Sequence, residues 1–261
     1  MEQQTTHERL WTPQQFAAID ADRCVLATEY FHRVILGMFA ERTGIDPELV
    51  ESRRVPVEAA GLTFHTDIEM RHVLSVEYGA IEADTIMTEI FAGTYDIFRD
   101  PEQRARLFMP GAANFVQSLQ ESGAFARREA GFFTWGSEPL QRLKLACAGL
   151  SQLPVIYTQE RAKGSTLRSS YDSVSGLYTL RLDSGEVINA PYIILIDDKA
   201  PSFEDFPEQQ ARGYWMQFSA NPEDLLPSQR GSVPANVEVC RTFDSPKLLG
   251  SLGIRASTHT T

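Results

Sequence analysis

Gly61-Leu62-Thr63-Phe64-His65-Thr66-Asp67-Ile68-Glu69 marks the point where a polar loop gives way to helical periodicity. Upstream, Phe31, Val34, Ile35, Met38 and Phe39 fall at i, i+3, i+4, i+7 and i+8. That spacing is one face of a helix, opened by Asp22 and closed by Gly44. A long loop, Gly44 to Leu62, follows. Downstream, a second helix is predicted from about His65 to Tyr78, closed by Gly79, with Ile68, Val73 and Val76 inward and Glu69 and Glu77 outward. Asp84 is placed to cap a short third turn. Ile90, Tyr95, Ile97 and Phe98 then give a last apolar face before Asp100-Pro101.

Outward from this segment the signals change twice. On the N-terminal side, residues 1–12 are polar, and Thr12-Pro13 reads as an N-cap and first helical residue of a short helix to about Asp20. On the C-terminal side the pattern stays helical to Leu150. Helices are expected over Glu102–Phe108, Asn114–Leu119 and Leu140–Leu150, with Gly131 to Gly136 as an aromatic loop. At Pro154 the period shifts from helical to alternating. Val155–Tyr157, Leu167–Tyr171, Leu177–Leu182, Glu186–Ile188 and Tyr192–Ile196 read as strands. Asp172 to Gly176 and Asp183-Ser184-Gly185 supply turn chemistry. The run Tyr192-Ile193-Ile194-Leu195-Ile196 is apolar throughout and is expected to be buried on both faces. After Asp198 long ordered loops are expected, anchored by Phe203, Phe206, Tyr214, Trp215 and Phe218, with a loose tail from Ala256.

Composition excludes several classes of partner. The 261 residues carry a formal net charge of −11 and a pI near 5.0. Nucleic-acid binding needs a basic face, and anionic membranes repel an acidic one, so neither partner is expected. Cys24, Cys147 and Cys240 are far apart and odd in number, which reads as a reducing compartment without a disulfide framework. No signal peptide or apolar span is legible, and a cytoplasmic location is expected.

The order of a long helix, a long loop, a glycine before a second helix and a glycine after it resembles the acyl and peptidyl carrier proteins over residues 22–99. In that family the loop ends in Gly-Leu-Asp-Ser-Leu, and the serine carries the phosphopantetheine arm. Gly61 and Leu62 stand where that motif begins, Thr63 at the aspartate, Phe64 at the serine and His65 at the leucine. Phe91-Ala92-Gly93-Thr94 occupies the entry to the last carrier helix. The resemblance implies a carrier-like protein that cannot be loaded, because phenylalanine has no hydroxyl. It would act as an adaptor or docking component in fatty acid, polyketide or nonribosomal peptide type biosynthesis, with no cofactor. The partner it implies is the basic face of a biosynthetic enzyme, met by Phe64, His65, Asp67, Glu69, Glu77, Glu82, Asp84 and Glu89. The fold class that follows is α+β: an N-terminal carrier-like four-helix bundle to residue 100, a helical connector over 101–152 and a β-rich part with a meander over 153–261.

Two other readings stand beside it. One is an enzyme whose C-terminal half works by carboxylate or tyrosine chemistry, with Asp197, Asp198, Glu160 and Tyr171 as the groups to hand. No histidine lies between His72 and His259, so Cys147 or Cys240 would lack an imidazole base. The other is a non-haem metal oxygenase. Glu29 with His32, and Glu69 with His72, are two Glu-x-x-His pairs, and i, i+3 side chains share a helix face. Were the oxygenase reading right, Glu29, His32, Glu69 and His72 would be the metal ligands. If these point to solvent, as a carrier fold requires, no metal is held. The strands around Asp183-Ser184-Gly185 loosely look like the end of an FAD-binding domain, but Ile196-Asp197-Asp198 stands where Ala-Thr-Gly is needed, and no Gly-x-Gly-x-x-Gly turn exists.

Overall fold

The computed structural model describes residues 10–11, 13–60, 63–219 and 231–254. Gly61, Leu62, Thr12 and the tail from Ala256 lie outside them. In chain order the strands are β1 (Leu10–Trp11), β2 (Phe16–Ile19), β3 (Ala130–Trp135), β4 (Val155–Thr158), β5 (Tyr171–Asp172), β6 (Leu177–Arg181), β7 (Val187–Ala190), β8 (Ile193–Asp197), β9 (Ala211–Met216) and β10 (Val237–Cys240). The helices are α1 (Thr28–Thr43), α2 (Glu48–Glu51), α3 (Arg54–Ala59), α4 (Thr66–Tyr78), α5 (Ala80–Ile97), α6 (Pro101–Ala105), α7 (Ala112–Glu121), α8 (Glu138–Cys147), α9 (Lys163–Ser169) and α10 (Pro246–Ser251). No described helix is long and apolar enough to cross a membrane.

Two compact units share the chain discontinuously. The first comprises Met1–Val25, Met109–Trp135 and Leu153–Thr261; the second comprises Leu26–Phe108 and Gly136–Gln152. The first unit is built on a six-stranded sheet in the order β10-β9-β8-β2-β3-β4. Every pairing in it is parallel. A smaller sheet, β1-β7-β6-β5, carries the antiparallel pairs.

This architecture corrects the expected carrier bundle followed by a β-rich meander: the protein is mixed α/β around a parallel sheet. The decisive element is β2. Phe16, Ala17, Ala18 and Ile19 are all fully buried, and they pair with β8 on one side and β3 on the other. A central strand of a parallel sheet is apolar on both faces, so it shows no alternation. Four such residues after Thr-Pro look like a helix start, and a run that short cannot be told apart by period. Of Gly131 to Gly136, expected as an aromatic loop, Gly131 to Thr134 are likewise the buried interior of β3, with Trp135 half-buried at its end. Leu167 is buried on helix α9 rather than on a strand. The run Ile193–Ile196 is buried on both faces as expected.

The second unit is helical. Phe31, Ile35 and Phe39 are the buried face of α1, and Gly44 closes that helix at φ 71°. Two short helices, α2 and α3, interrupt the expected loop, and the third turn and last helix are one continuous α5. The face of α4 departs from the expectation at Ile68, Glu69 and Val76, while Glu77 is exposed as expected. Met70 and Leu74 are buried one turn apart with Asp67 and Glu69, while Ile68 and Val76 are exposed.

The solvated placement expected for His32 is also corrected. His32 is half-buried on α1, not solvent-facing, because it flanks the inward-pointing Phe31 on the same turn. The two rings lie with centroids 6.3 Å apart, and His32 Nε2 is buried. Its partner in the Glu-x-x-His pattern, Glu29, is exposed. On α4 the order is reversed: Glu69 is buried and His72 is exposed.

Candidate active site

In an open parallel sheet, ligands bind beyond the carboxyl ends of the strands, where the strand order reverses. Here the chain runs from β2 outward through β3 and β4, then returns to the other side of β2 as β8 and continues to β9 and β10. The reversal lies between β2 and β8. Asp20 follows the last residue of β2; Asp197 ends β8 and Asp198 follows it. The three carboxylates therefore meet at the switch point. Each can offer one oxygen such that all three lie within 4.8 Å of one another, and this is the one such cluster among the described residues.

Backbone bonds fix the arrangement. The Asp20 N–H donates to the Ile196 carbonyl at 2.8 Å, continuing the β2–β8 ladder by one residue. The Lys199 N–H donates to Asp197 Oδ1 at 2.9 Å, and Trp215 Nε1 donates to the Asp198 carbonyl at 3.0 Å. Lys163, the first residue of α9, donates from Nζ to Asp197 Oδ2 at 2.7 Å and to Asp20 Oδ1. It is placed by Gly164, where a Cβ would meet the Glu204 carbonyl oxygen and lie 2.8 Å from the Phe206 nitrogen. Only glycine lets α9 approach that loop so closely. Lys199 Nζ lies 3.4 Å from Asp198 Oδ1 and 3.8 Å from Asp20 Oδ2.

Asp20, Asp197, Asp198 and Lys163 are each no more than 2 % exposed. Burial, then the charge of Asp197, pushes the Asp20 carboxyl up to about 7 against the pull of Lys163 and Lys199. Burial alone would lower Lys163, but Asp197 and Asp20 outweigh it and hold the ammonium charged. Lys199 is raised for the same reason, by Asp20, Asp198 and Asp197, with a further contribution from the half-buried Asp22. Cys24 lies in the turn after Asp20, and burial followed by the Asp20 charge pushes its thiol well up, so it is no thiolate nucleophile.

The donor set fits a hard divalent cation. It is all carboxylate oxygen, the chemistry that suits magnesium, manganese or calcium rather than a soft metal. One of the oxygens, Asp20 Oδ2, accepts no hydrogen bond although it is buried. Thr134 is a second buried orphan. It lies near the carboxyl end of β3, beside β2, is fully buried, and its hydroxyl has no hydrogen-bond partner among the described residues.

No protein-family model matches the chain, and no curated protein matches it. Solved structures do. A haloacid dehalogenase-like hydrolase of Burkholderia xenovorans LB400 matches with a TM-score of 0.53 and 15% identity, covering 92% of this chain and 97% of that one. The HAD-hydrolase YfnB of Bacillus subtilis, bound to magnesium, matches with a TM-score of 0.50 and 13% identity, covering 92% and 99%. The protein has the haloacid dehalogenase-like fold. This Rossmann-type fold overturns the carrier resemblance and, with it, the non-loadable adaptor role. Gly79 and Gly93, which suggested a carrier, lie in the second, helical unit of the chain.

Of the residues that the sequence singled out, Asp197 and Asp198 are in the cluster. Glu160 is exposed, and Tyr171 packs on Tyr178 with ring centroids 4.9 Å apart. Cys147 and Cys240 are buried free thiols. In the helical unit Phe64 lies under the Arg54 guanidinium, 4.0 Å from the ring centroid. His65 occupies the N-cap position of α4, Asp67 accepts from Ser137, and Glu69 is paired with Arg53. Glu77 and Glu82 are exposed, Asp84 pairs with Arg71, and Glu89 pairs with Arg42 at 2.9 Å.

The oxygenase ligand set is corrected as well. Glu29, His32, Glu69 and His72 form no ligand-distance cluster; the metal-competent group is Asp20, Asp197 and Asp198. His32 is not among these ligands, and the physical reason is its helix. His32 follows the buried Phe31 and is half-buried, whereas Glu29 is exposed, and neither joins Glu69 or His72 in a cluster of ligand atoms among the described residues. Glu69 is taken up by Arg53 while His72 faces out. Sequence reasoning missed Asp20, Lys163 and Lys199. The signal for Asp20 was available: two apolar runs, Phe16–Ile19 and Ile193–Ile196, each end on aspartate.

Proposed function

We propose that the protein is a divalent-cation-dependent hydrolase of phosphoryl compounds, with phosphomonoesters as its substrate class. The observation that carries this reading is the buried Asp20–Asp197–Asp198 cluster, bridged by Lys163 at the switch point of a parallel sheet. The magnesium named for YfnB and the hydrolase named for both fold neighbours agree with it. Magnesium held by the three carboxylates would supply positive charge to the oxygens of a transferring phosphoryl group.

The chain's own residues supply the rest. Asp20 is the nucleophile: its oxygen forms a bond to phosphorus as the bond to the leaving alcohol breaks. The half-buried Asp22 gives the leaving oxygen its proton. A water then attacks phosphorus, Asp22 takes the water's proton, and inorganic phosphate leaves Asp20 free. Lys163 keeps Asp20 oriented and counters its charge. The Thr134 hydroxyl is a donor in search of an acceptor, which a phosphoryl oxygen provides. Three buried free thiols suit a reducing interior, and we assign the protein to the cytoplasm on that ground.

The test is phosphate release from a panel of phosphomonoesters with magnesium, with chelator, and with Asp20→Asn. Release that needs the metal and is lost in the variant supports the reading. Release indifferent to both sinks it, as does halide release from 2-haloacids with every phosphomonoester left intact.

A further inference from the structure

We propose that Lys199 is a tethered counter-cation: its ammonium holds the divalent-cation position of the carboxylate cluster and must swing out before a metal ion binds. The inference rests on the divalent-cation reading of Asp20, Asp197 and Asp198.

The two lysines at the cluster are held in different ways. Lys163 is 2 % exposed, and its Nζ is hydrogen-bonded to both Asp20 and Asp197. Lys199 is 17 % exposed along its side chain. Its Nζ stands 3.4 Å from Asp198 Oδ1 and 3.8 Å from Asp20 Oδ2. Both separations exceed the usual N–H···O range of about 2.7–3.2 Å, so charge rather than directed bonding holds the ammonium there. The oxygens it approaches are on two of the three residues that form the metal-competent cluster. Asp20 Oδ2 is moreover a buried oxygen that accepts no hydrogen bond. An ion bound to that oxygen would sit about 2.0–2.6 Å from it and within a few ångströms of Nζ. Two cations that close in a buried site repel, so occupancy is exclusive.

The hinge for exchange is present. The Lys199 backbone N–H is fixed by Asp197 Oδ1 at 2.9 Å, so the base of the side chain stays in place. The four-carbon stem carries three rotatable donors, and rotation about that base is the motion the exchange requires. The 17 % exposure of the side chain places part of it against water, on the side toward which the exchange would carry the ammonium. The consequence is a site that keeps three buried carboxylates compensated when no metal is present and that binds metal against an internal competitor. It sets a threshold concentration for activation.

The experiment measures manganese binding directly, by titration calorimetry and by the loss of free-ion signal in electron paramagnetic resonance. It uses the full chain, without substrate, for the unmodified protein, Lys199→Met and Lys199→Arg. Near-ultraviolet circular dichroism checks that each is folded, and Lys199→Gln replaces Lys199→Met should the latter not fold. The neutral variant is expected to bind manganese about tenfold to hundredfold more tightly, and the arginine variant no more tightly than the unmodified protein. Equal or weaker binding by the neutral variant overturns the inference and leaves the metal reading standing. Absence of binding by every protein in the set overturns the divalent-cation reading, and this inference with it.

Discussion

The backbone N–H of Asp20 donates to the carbonyl of Ile196 at 2.8 Å, and this bond sets the register that brings Asp20 level with Asp197. Two apolar strands thus deliver their terminal carboxylates to one buried point. Asp20→Asn keeps the shape and the backbone bond but removes the attacking charge. Phosphomonoester turnover is expected to fall by at least about a thousandfold. Steady-state kinetics together with an unchanged far-ultraviolet spectrum checks this.

The same variant has a pH signature. In the metal-free fold Asp20 is raised from its ordinary value of 3.8 to about 7 by burial, then by Asp197. A carboxyl raised on folding is stable in place while protonated, below 3.8. Its contribution is lost as pH climbs toward 7, because the unfolded chain ionises more readily. The stability of Asp20→Asn relative to the unmodified protein is therefore expected to grow between about pH 4 and pH 7, reaching roughly 1–3 kcal/mol. Saturating magnesium should close the gap by stabilising the ionised carboxylate. Urea titrations at several pH values, with and without magnesium, read it directly; a gap that shrinks with rising pH refutes the assignment.

The fold was legible where periodicity was long and illegible where burial was complete. The helical face Phe31, Ile35 and Phe39 and the caps Gly44 and Gly79 stand as read. Those signals are local, and a cap or a four-residue period means the same thing in any fold. The Glu-x-x-His spacing is local too, yet it misled. It fixes only that His32 and Glu29 are a turn apart, and the packing of Phe31 draws His32 partly inward while Glu29 stays out. The central strands carry no helical or alternating period, since β2 and β8 are buried on both faces. Phe16–Ile19 therefore passed as the end of a helix, and Asp20 lost its place beside Asp197. The cluster depends on sheet order, which no local pattern encodes. Lys163 was hidden in another way: the stretch after it reads as a strand through Leu167 to Tyr171, yet Leu167 is the buried face of α9.

Gly164 links that helix to the chemistry. A Cβ there would press on the Glu204 carbonyl and lie 2.8 Å from the Phe206 nitrogen, both backbone atoms that cannot rotate away. Gly164→Ala is expected to push α9 outward and drag the neighbouring Lys163 from Asp20. The stability cost is about 1–3 kcal/mol, the usual range for overpacking. Turnover should fall at least about tenfold, a larger loss than the stability change alone would cause at a temperature where the variant is folded. Equal kcat in the two proteins would show that Lys163 does not depend on that approach.

His65 offers a titration in the helical unit. Burial lowers its imidazole below the ordinary 6.5, with Lys144 adding to the effect while Asp67 and Glu69 oppose it. A histidine lowered on folding favours its neutral form, so its contribution is present above 6.5 and lost as pH falls below it. His65→Asn should remove that component. The difference between the two proteins in melting temperature is expected to narrow as pH drops from about 7.5 to about 5.5. Calorimetry with metal saturating throughout isolates the effect from Asp20.

Charge reversal on α4 separates a solvated face from a structural one. Glu69 is 8 % exposed along its side chain and pairs with Arg53, itself 34 % exposed. Glu77, further along the same helix, is exposed. Reversing Glu69 to lysine would bury an ammonium against a guanidinium with its carboxylate gone. Breaking a fully buried pair costs about 3–5 kcal/mol, and the partial exposure of Arg53 brings the expected loss to about 2–4 kcal/mol. Glu77→Lys should change stability by less than about 0.5 kcal/mol, as an isolated surface charge does. Urea unfolding of the two single variants decides the matter: equal, small effects would mean that the Arg53–Glu69 pair contributes no more than a surface ion pair.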